Sequence, residues 1–220
     1  MPNPLVRRRV ITRPAQFRTP TLIAASGSGT GGALTFATSL IGDLIIGINS
    51  SADLSIATQP AGCTAIDTGV TSDESGNDCA IIGSAKFTTA DGEGVGAAAA
   101  GGGSRSVFAV FRGVDPRFLT DLTTNDYAYR NTSGTNNWGP PAIPWMKRPG
   151  VVLAFGRRGG TSDTLFTNLT QIHLQNTASS PAQLYWTAGE VPSFANDVAY
   201  TITAASARAS LSVFLPGARI

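Results

Sequence analysis

The 220 residues suffice for one large β domain or two small ones with a sizeable core; 42% are apolar and only 14% charged, well below the usual quarter. No apolar run approaches the roughly 18–20 residues of a membrane span, and the early positive charges lead into VITRPAQFRTP rather than an apolar signal core. The net charge of +2 conceals an asymmetry, because five arginines and no acid lie in the first eighteen residues, leaving eleven basic against fourteen acidic groups beyond them.

Residues 1–20 read as an extended basic arm. Pro2, Pro4, Pro14 and Pro20 each fix φ and remove an amide donor, which keeps the segment out of a helix. Arg7, Arg8, Arg9, Arg13, Phe17 and Arg18 are its candidate partner-binding residues, a basic set able to reach nucleic acid or an acidic protein surface. The competing reading is a solvated tail. Ala, Gly, Ser and Thr replace the missing charges in the body, as in surfaces covered by neighbours or in extracellular proteins.

Beyond the arm, short runs rich in Val, Ile, Phe and Thr are bounded by Gly, Pro, Asn and Asp. They predict strands over 21–25, 33–38, 42–49, 80–87, 105–112, 150–156, 169–174, 183–187, 198–203 and 208–215. Helical periodicity is nearly absent. The expected fold is all-β, an antiparallel β-sandwich of jelly-roll-like form in a single domain over 21–220. GDLIIGIN and GVVLAFG, 108 positions apart, are continuous apolar runs suited to strands buried on both faces. RSVFAVF and RASLSVF, 103 positions apart, share an Arg-led alternating pattern. These echoes predict two related halves, about 21–114 and 150–216, joined by a polar, aromatic loop over 115–149. On this alignment Phe108 and Val110 occupy the same core-facing positions as Leu211 and Val213. Arg105 and Arg208 enter their strands with heads free to reach solvent or a loop carbonyl.

Residues able to carry catalysis are sparse, and the chain is expected not to be an enzyme. His173 is the sole histidine, set among Gln171 and Gln175 on a polar strand face, and no Gly-x-Ser-x-Gly elbow accompanies it. Cys63 and Cys79 lack zinc-ligand spacing and read as two thiols or one disulfide. Asp73, Glu74, Asn77 and Asp78 offer oxygen ligands for calcium but miss the EF-hand register, so a solvated hairpin loop is the simpler reading. The Gly-rich stretches at 27–32 and 91–105 lack the Lys-Ser/Thr of a phosphate loop, and no cofactor is expected. Tyr127, Tyr129, Trp138 and Trp145 in the long loop are candidates for a subunit interface, for stacking on a sugar, or for packing across the sandwich.

In order and spacing, GDLIIGIN, PAGCTAID, AIIGSAKFTTADGEG, SRSVFAVFRGVDP, PGVVLAFG and ARASLSVFLPG resemble a β-sandwich family of tailed-bacteriophage virion proteins, over about residues 20–216. Gly42-Asp43, Pro60-Ala61-Gly62-Cys63-Thr64 and Phe111-Arg112-Gly113-Val114-Asp115 carry the likeness, with Cys63 standing where the family often has Trp. The resemblance implies a virion structural protein: a capsid decoration or cementing protein, or a collar or tail-attached component, with other virion proteins and copies of itself as partners. It carries no catalytic residues. A carbohydrate-binding receptor-recognition module at a tail or fibre tip, contacting host glycan, is the alternative; neither membrane nor nucleic acid is expected as a partner.

Overall fold

The computed structural model describes residues 16–56, 58–73, 78–98, 104–124, 126–132, 137–138, 150–158, 170–175, 182–189, 200–201 and 208–220. Its elements are strands: β1 (Thr21–Ser28), β2 (Leu44–Ser51), β3 (Thr64–Ser72), β4 (Cys79–Phe87), β5 (Arg105–Arg112), β6 (Tyr127–Thr132), β7 (Asn137–Trp138), β8 (Gly150–Arg158), β9 (Thr170–Gln175), β10 (Ala182–Gly189), β11 (Tyr200–Thr201) and β12 (Arg208–Pro216). The continuous apolar runs explain the two central strands. Leu44, Ile46 and Ile48 bury on one face of β2 and Ile45 on the other, so neither face can be solvated.

Ten strands form two five-stranded antiparallel sheets, in the orders β1-β5-β2-β4-β3 and β6-β12-β8-β10-β9, while β7 and β11 make a small ribbon. Ranked by chain position within its own sheet, each reads first, fifth, second, fourth, third. The sheets pack face to face, with β2 over β8, β4 over β8 and β12, β3 over β6 and β12, and β1 over β9. The main core lies between them. Leu44, Ile46, Ile48, Val107, Ala109 and Phe111 meet Val151, Leu153, Phe155, Leu211, Val213 and Leu215 there.

A second cluster covers the outer face of the first sheet, where Leu34, Phe36, Cys63 and Val95 pack on Ile45, Phe108 and Val110. Gly47 makes this possible, because the Phe108 ring crosses it. A Cβ at that position would stand 2.1 Å from the Val107 carbonyl oxygen and 2.5 Å from Phe108 Cγ.

This second cluster corrects the expected equivalence of the Arg-led strands. Phe108 and Val110 face outward, whereas Leu211 and Val213 face the main core. The 103-residue spacing that aligns the letters puts the aligned side chains on opposite faces; a spacing of 104 would align the faces. The same one-residue slip separates Leu44 from Val152, since Leu44 pairs with Phe111 and Val152 with Phe214. A slip of one residue inverts every side chain, and strands buried on both faces tolerate it.

Three further differences have local causes. Residues 33–38 form no strand: Leu34 and Val95 exchange backbone bonds at 2.9 Å in an isolated bridge, and Leu34 and Phe36 alternate because both dip into the outer cluster. β3 escapes the sequence because Asp67 and Gly69 read as turn residues. They build a bulge instead, where the register jumps between Ile66 and Val70 with φ of 66° at Asp67 and 83° at Gly69. β6 lies inside the segment read as a connecting loop, its strand character masked by Arg130 and Asn131. Cys63 and Cys79 are buried and are not joined in a disulfide, one lying in the outer cluster and one in the main core.

Candidate docking interface

The antiparallel registers start β2 where β5 finishes and β8 where β12 finishes, and a bridge between Val114 and Gly217 brings both to one end of the sandwich. Here the root of the arm is fastened. Arg18 donates its N–H to the Ala218 carbonyl at 2.8 Å, Ile220 donates to Gln16 at 2.9 Å, and Phe17 bridges Arg219. The same C-terminal segment is tied on its other side, with Ala218 N–H on the Gly113 carbonyl at 2.8 Å and Asp115 N–H on the Pro216 carbonyl at 2.9 Å. Gly113 adopts φ of 81°, and its missing side chain leaves room for the Arg18 stem, whose Cδ would lie 3.3 Å from a Cβ there. Residues 16–18 are therefore part of the body. Of the arm residues singled out, Phe17 and Arg18 sit at this root, while Arg7, Arg8, Arg9 and Arg13 lie outside the described residues.

Beside the root, the turn before β2 carries two exposed apolar side chains, Leu40 at 45% and Ile41 at 69%. Its backbone is held by carboxylates. Asp43 Oδ2 accepts the Leu40 N–H at 2.9 Å, and Asp91 Oδ1 accepts the Ile41 N–H at 2.9 Å. The Thr88 hydroxyl donates to the Leu40 carbonyl, and the Gly42 N–H donates to the Thr88 carbonyl at 3.0 Å. Asp43, its side chain only 3% exposed, also grips Arg112 with both oxygens, at 2.9 Å to Nε and 2.8 Å to Nη2. Glu93 closes the adjoining turn, accepting the Lys86 ammonium at 2.6 Å and the N–H groups of Thr89 and Ala90. The Lys86 bond first, and the Thr89 N–H next, hold its carboxyl down at about 2. The tip is thus apolar outside and pinned inside.

Further along that end, Asp115 accepts the Arg117 N–H at 3.0 Å and pairs with its guanidinium at 3.3 Å. Among the five large exposed apolar side chains of the described residues, Leu40, Ile41 and Ile220 belong to this end, and Leu54 and Ile56 to the other.

The aromatic candidates divide. Tyr127 and Tyr129 come together on β6, ring centroids 6.2 Å apart and nearly perpendicular. The Tyr129 hydroxyl accepts the Gly83 N–H at 2.9 Å and donates to the Ile66 carbonyl, crossing from the second sheet to the β3 bulge in the first. Burial pushes this phenol well above its ordinary value. Tyr127, half-buried, is raised by burial and by Asp67 on the bulge. The backbone of Trp138 pairs with Tyr200, and Trp145 lies outside the described residues. Among the described residues no cluster of three metal-ligating groups occurs; Glu74 and Asn77 of the acidic loop lie outside them. The braced Leu40-Ile41 turn has little signature in the sequence, whose one signal is an apolar pair set just before Gly42-Asp43. Comparison with known protein families, with curated proteins and with solved structures found no match.

Proposed function

We propose that this chain is a non-enzymatic structural protein of a tailed-phage virion, a capsid decoration or cementing protein in the first instance and a collar or tail-attached component in the second. It docks by the end that bears the arm. The observation carrying this reading is the joining of Gln16, Phe17 and Arg18 to the C-terminal residues, beside the exposed pair Leu40 and Ile41. The arm leaves the body at a fixed point, next to apolar groups that a neighbour can cover. Pre-organisation of this kind lowers the entropy lost on binding. The virion setting rests on the family resemblance of the sequence.

The two sheets are read in the same proposal as related halves. Their shared strand ranking and their reversed lateral order across the core suit a pseudo-two-fold axis along the strands, with β2 and β8 beside it. Each sheet is drawn from its own stretch of chain, which favours two halves over jelly-roll-like connectivity.

The test compares the full chain with one starting at Gln16, added to particles assembled without this protein. Both should fold with the same melting midpoint, and the shortened chain should co-sediment at least tenfold less well. Equal co-sedimentation would refute docking by the arm.

A further inference from the structure

Two five-stranded sheets packed face to face leave four edge strands, β3 and β6 on one flank and β1 and β9 on the other. An edge strand points alternate N–H and C=O groups away from its sheet, where another strand can pair with them unless the edge is blunted. The flank of β3 and β6 is blunted. β3 breaks its register at the bulge holding Asp67 and Gly69, and the Ile66 carbonyl there accepts the Tyr129 hydroxyl. β6 carries Arg130.

The flank of β1 and β9 has no such charges. TLIAASGS of β1 and TQIHLQ of β9 contain no Asp, Glu, Lys or Arg. The one irregularity of β1 falls between Leu22 and Ala24, and from there Ala24–Ser28 runs in unbroken register with Val110 to Ser106. Over that stretch the side chains are Ala, Ala, Ser, Gly and Ser, too small to screen the edge. Among the described residues, the backbone hydrogen bonds of Thr21–Ser28 go to β5 alone. Side chains fix the strand on both faces, Leu22 and Ala25 against the main core, Ile23 and Ala24 against the outer cluster.

Charge and symmetry select the occupant. Beyond the first eighteen residues, eleven basic groups stand against fourteen acidic ones, so two bodies carry like net charge. An uncharged edge is where they approach at least cost. A second copy related by a two-fold axis normal to the sheets also brings β9 opposite β9, because β9 lies beneath β1. Both uncharged edges then meet their counterparts at once, whereas a lone strand from another protein would cover only one.

We propose that this chain pairs with a second copy of itself through the β1 edge. Ala24–Ser28 lies antiparallel to the same stretch of the copy, about a two-fold axis near Ser26, and the two first sheets join into one of ten strands. The seam runs along a flank rather than at the arm-bearing end, and it stands whether or not the arm docks.

The experiment follows the full chain by sedimentation equilibrium as concentration rises; it should reach twice the chain mass and go no further. Ser26 is half-buried and pairs with Phe108 on the outer face. Ser26→Lys sets two ammonium groups across the axis and Ser26→Glu two carboxylates, so each should weaken pairing at least about tenfold. An equimolar mixture of the two should pair again, a rescue that a damaged fold would not give. Thr68→Lys, at an exposed position of β3 on the opposite flank, should pair like the parent. In the parent, alternate amides of Ala24–Ser28 should exchange more slowly as concentration rises, with those of β3 unchanged. A parent that stays monomeric, a dimer that neither Ser26 variant weakens, or a mixture that fails to pair would each overturn the proposal. If neither variant folds, amide exchange of the parent decides, and no concentration-dependent protection over Ala24–Ser28 is the refuting result.

Discussion

Replacing Tyr129 with Phe removes one oxygen and leaves the ring in place. That oxygen accepts the Gly83 N–H at 2.9 Å and donates to the Ile66 carbonyl, at the point where the β3 bulge begins. Water has little access there, so the loss exposes the cost of unpaired polar groups as well as the net value of two bonds. At about 1.5 kcal/mol for each of the two groups, Tyr129→Phe should destabilise the protein by about 3 kcal/mol. For a chain of this length that lowers the melting midpoint by roughly 6–12 °C. Urea unfolding followed by tryptophan fluorescence should show a lower midpoint concentration with an unchanged slope. Tyr127→Phe is the control: its ring is half-buried, and the change should cost under about 1 kcal/mol. If Tyr129→Phe came within about 0.5 kcal/mol of the parent, the phenol would not be what fastens the second sheet to the bulge.

Other perturbations test the remaining parts. The Glu93 carboxyl titrates near 2 when folded and near its ordinary 4.5 when unfolded, so it stabilises the protein above about pH 4.5 and the contribution fades as pH falls toward 2. Glu93→Gln should cost about 1–2 kcal/mol at pH 7, allowing for solvent screening, and should flatten acid unfolding over that window. Tyr129 carries the opposite sign: its phenol is raised when folded, so its share of stability is present below about pH 10 and is lost as pH rises further, and Tyr129→Phe should remove that alkaline slope. Gly47→Ala would drive a methyl into the Val107 carbonyl and the Phe108 ring, and should cost at least about 3 kcal/mol or prevent folding, as thermal melts would show. Asp43→Ala strips Arg112 of its bidentate partner and frees the Leu40 N–H; a loss of about 2–3 kcal/mol and faster amide exchange at Leu40 and Ile41 are expected.

Where side-chain chemistry and backbone need agree, the fold is legible. The uninterrupted runs around Ile46 and Leu153 announce central strands, and the apolar alternation of 105–112 and 208–215 announces their partners. Legibility fails where one residue serves two ends. Asp67 and Gly69 look like a turn because they make a bulge within a strand, and Leu34 with Phe36 look like a strand because two side chains alternate into a pocket. The echo at 103 residues misleads in a subtler way. In a strand buried on both faces apolar letters occur at either parity, so the best match of letters need not be the match of faces. At the arm-bearing end, the basic arm is plain in composition, but its attachment to Ala218 and Ile220 is a long-range pairing that no local pattern encodes. Arg157 is likewise unannounced, since a charged residue at the end of an apolar run reads as a strand reaching solvent, and only the closing of the second sheet on the first buries it.

On the proposed reading, the sandwich would meet a virion by the end bearing the arm. Electron cryomicroscopy of particles carrying the protein tests it most directly. The account predicts Leu40, Ile41 and Ile220 against a neighbouring virion subunit, with residues 1–15 running on over that subunit's surface. Contact made instead through Leu54, Ile56 and the Arg105 end, with Leu40 and Ile41 turned to solvent, would contradict it.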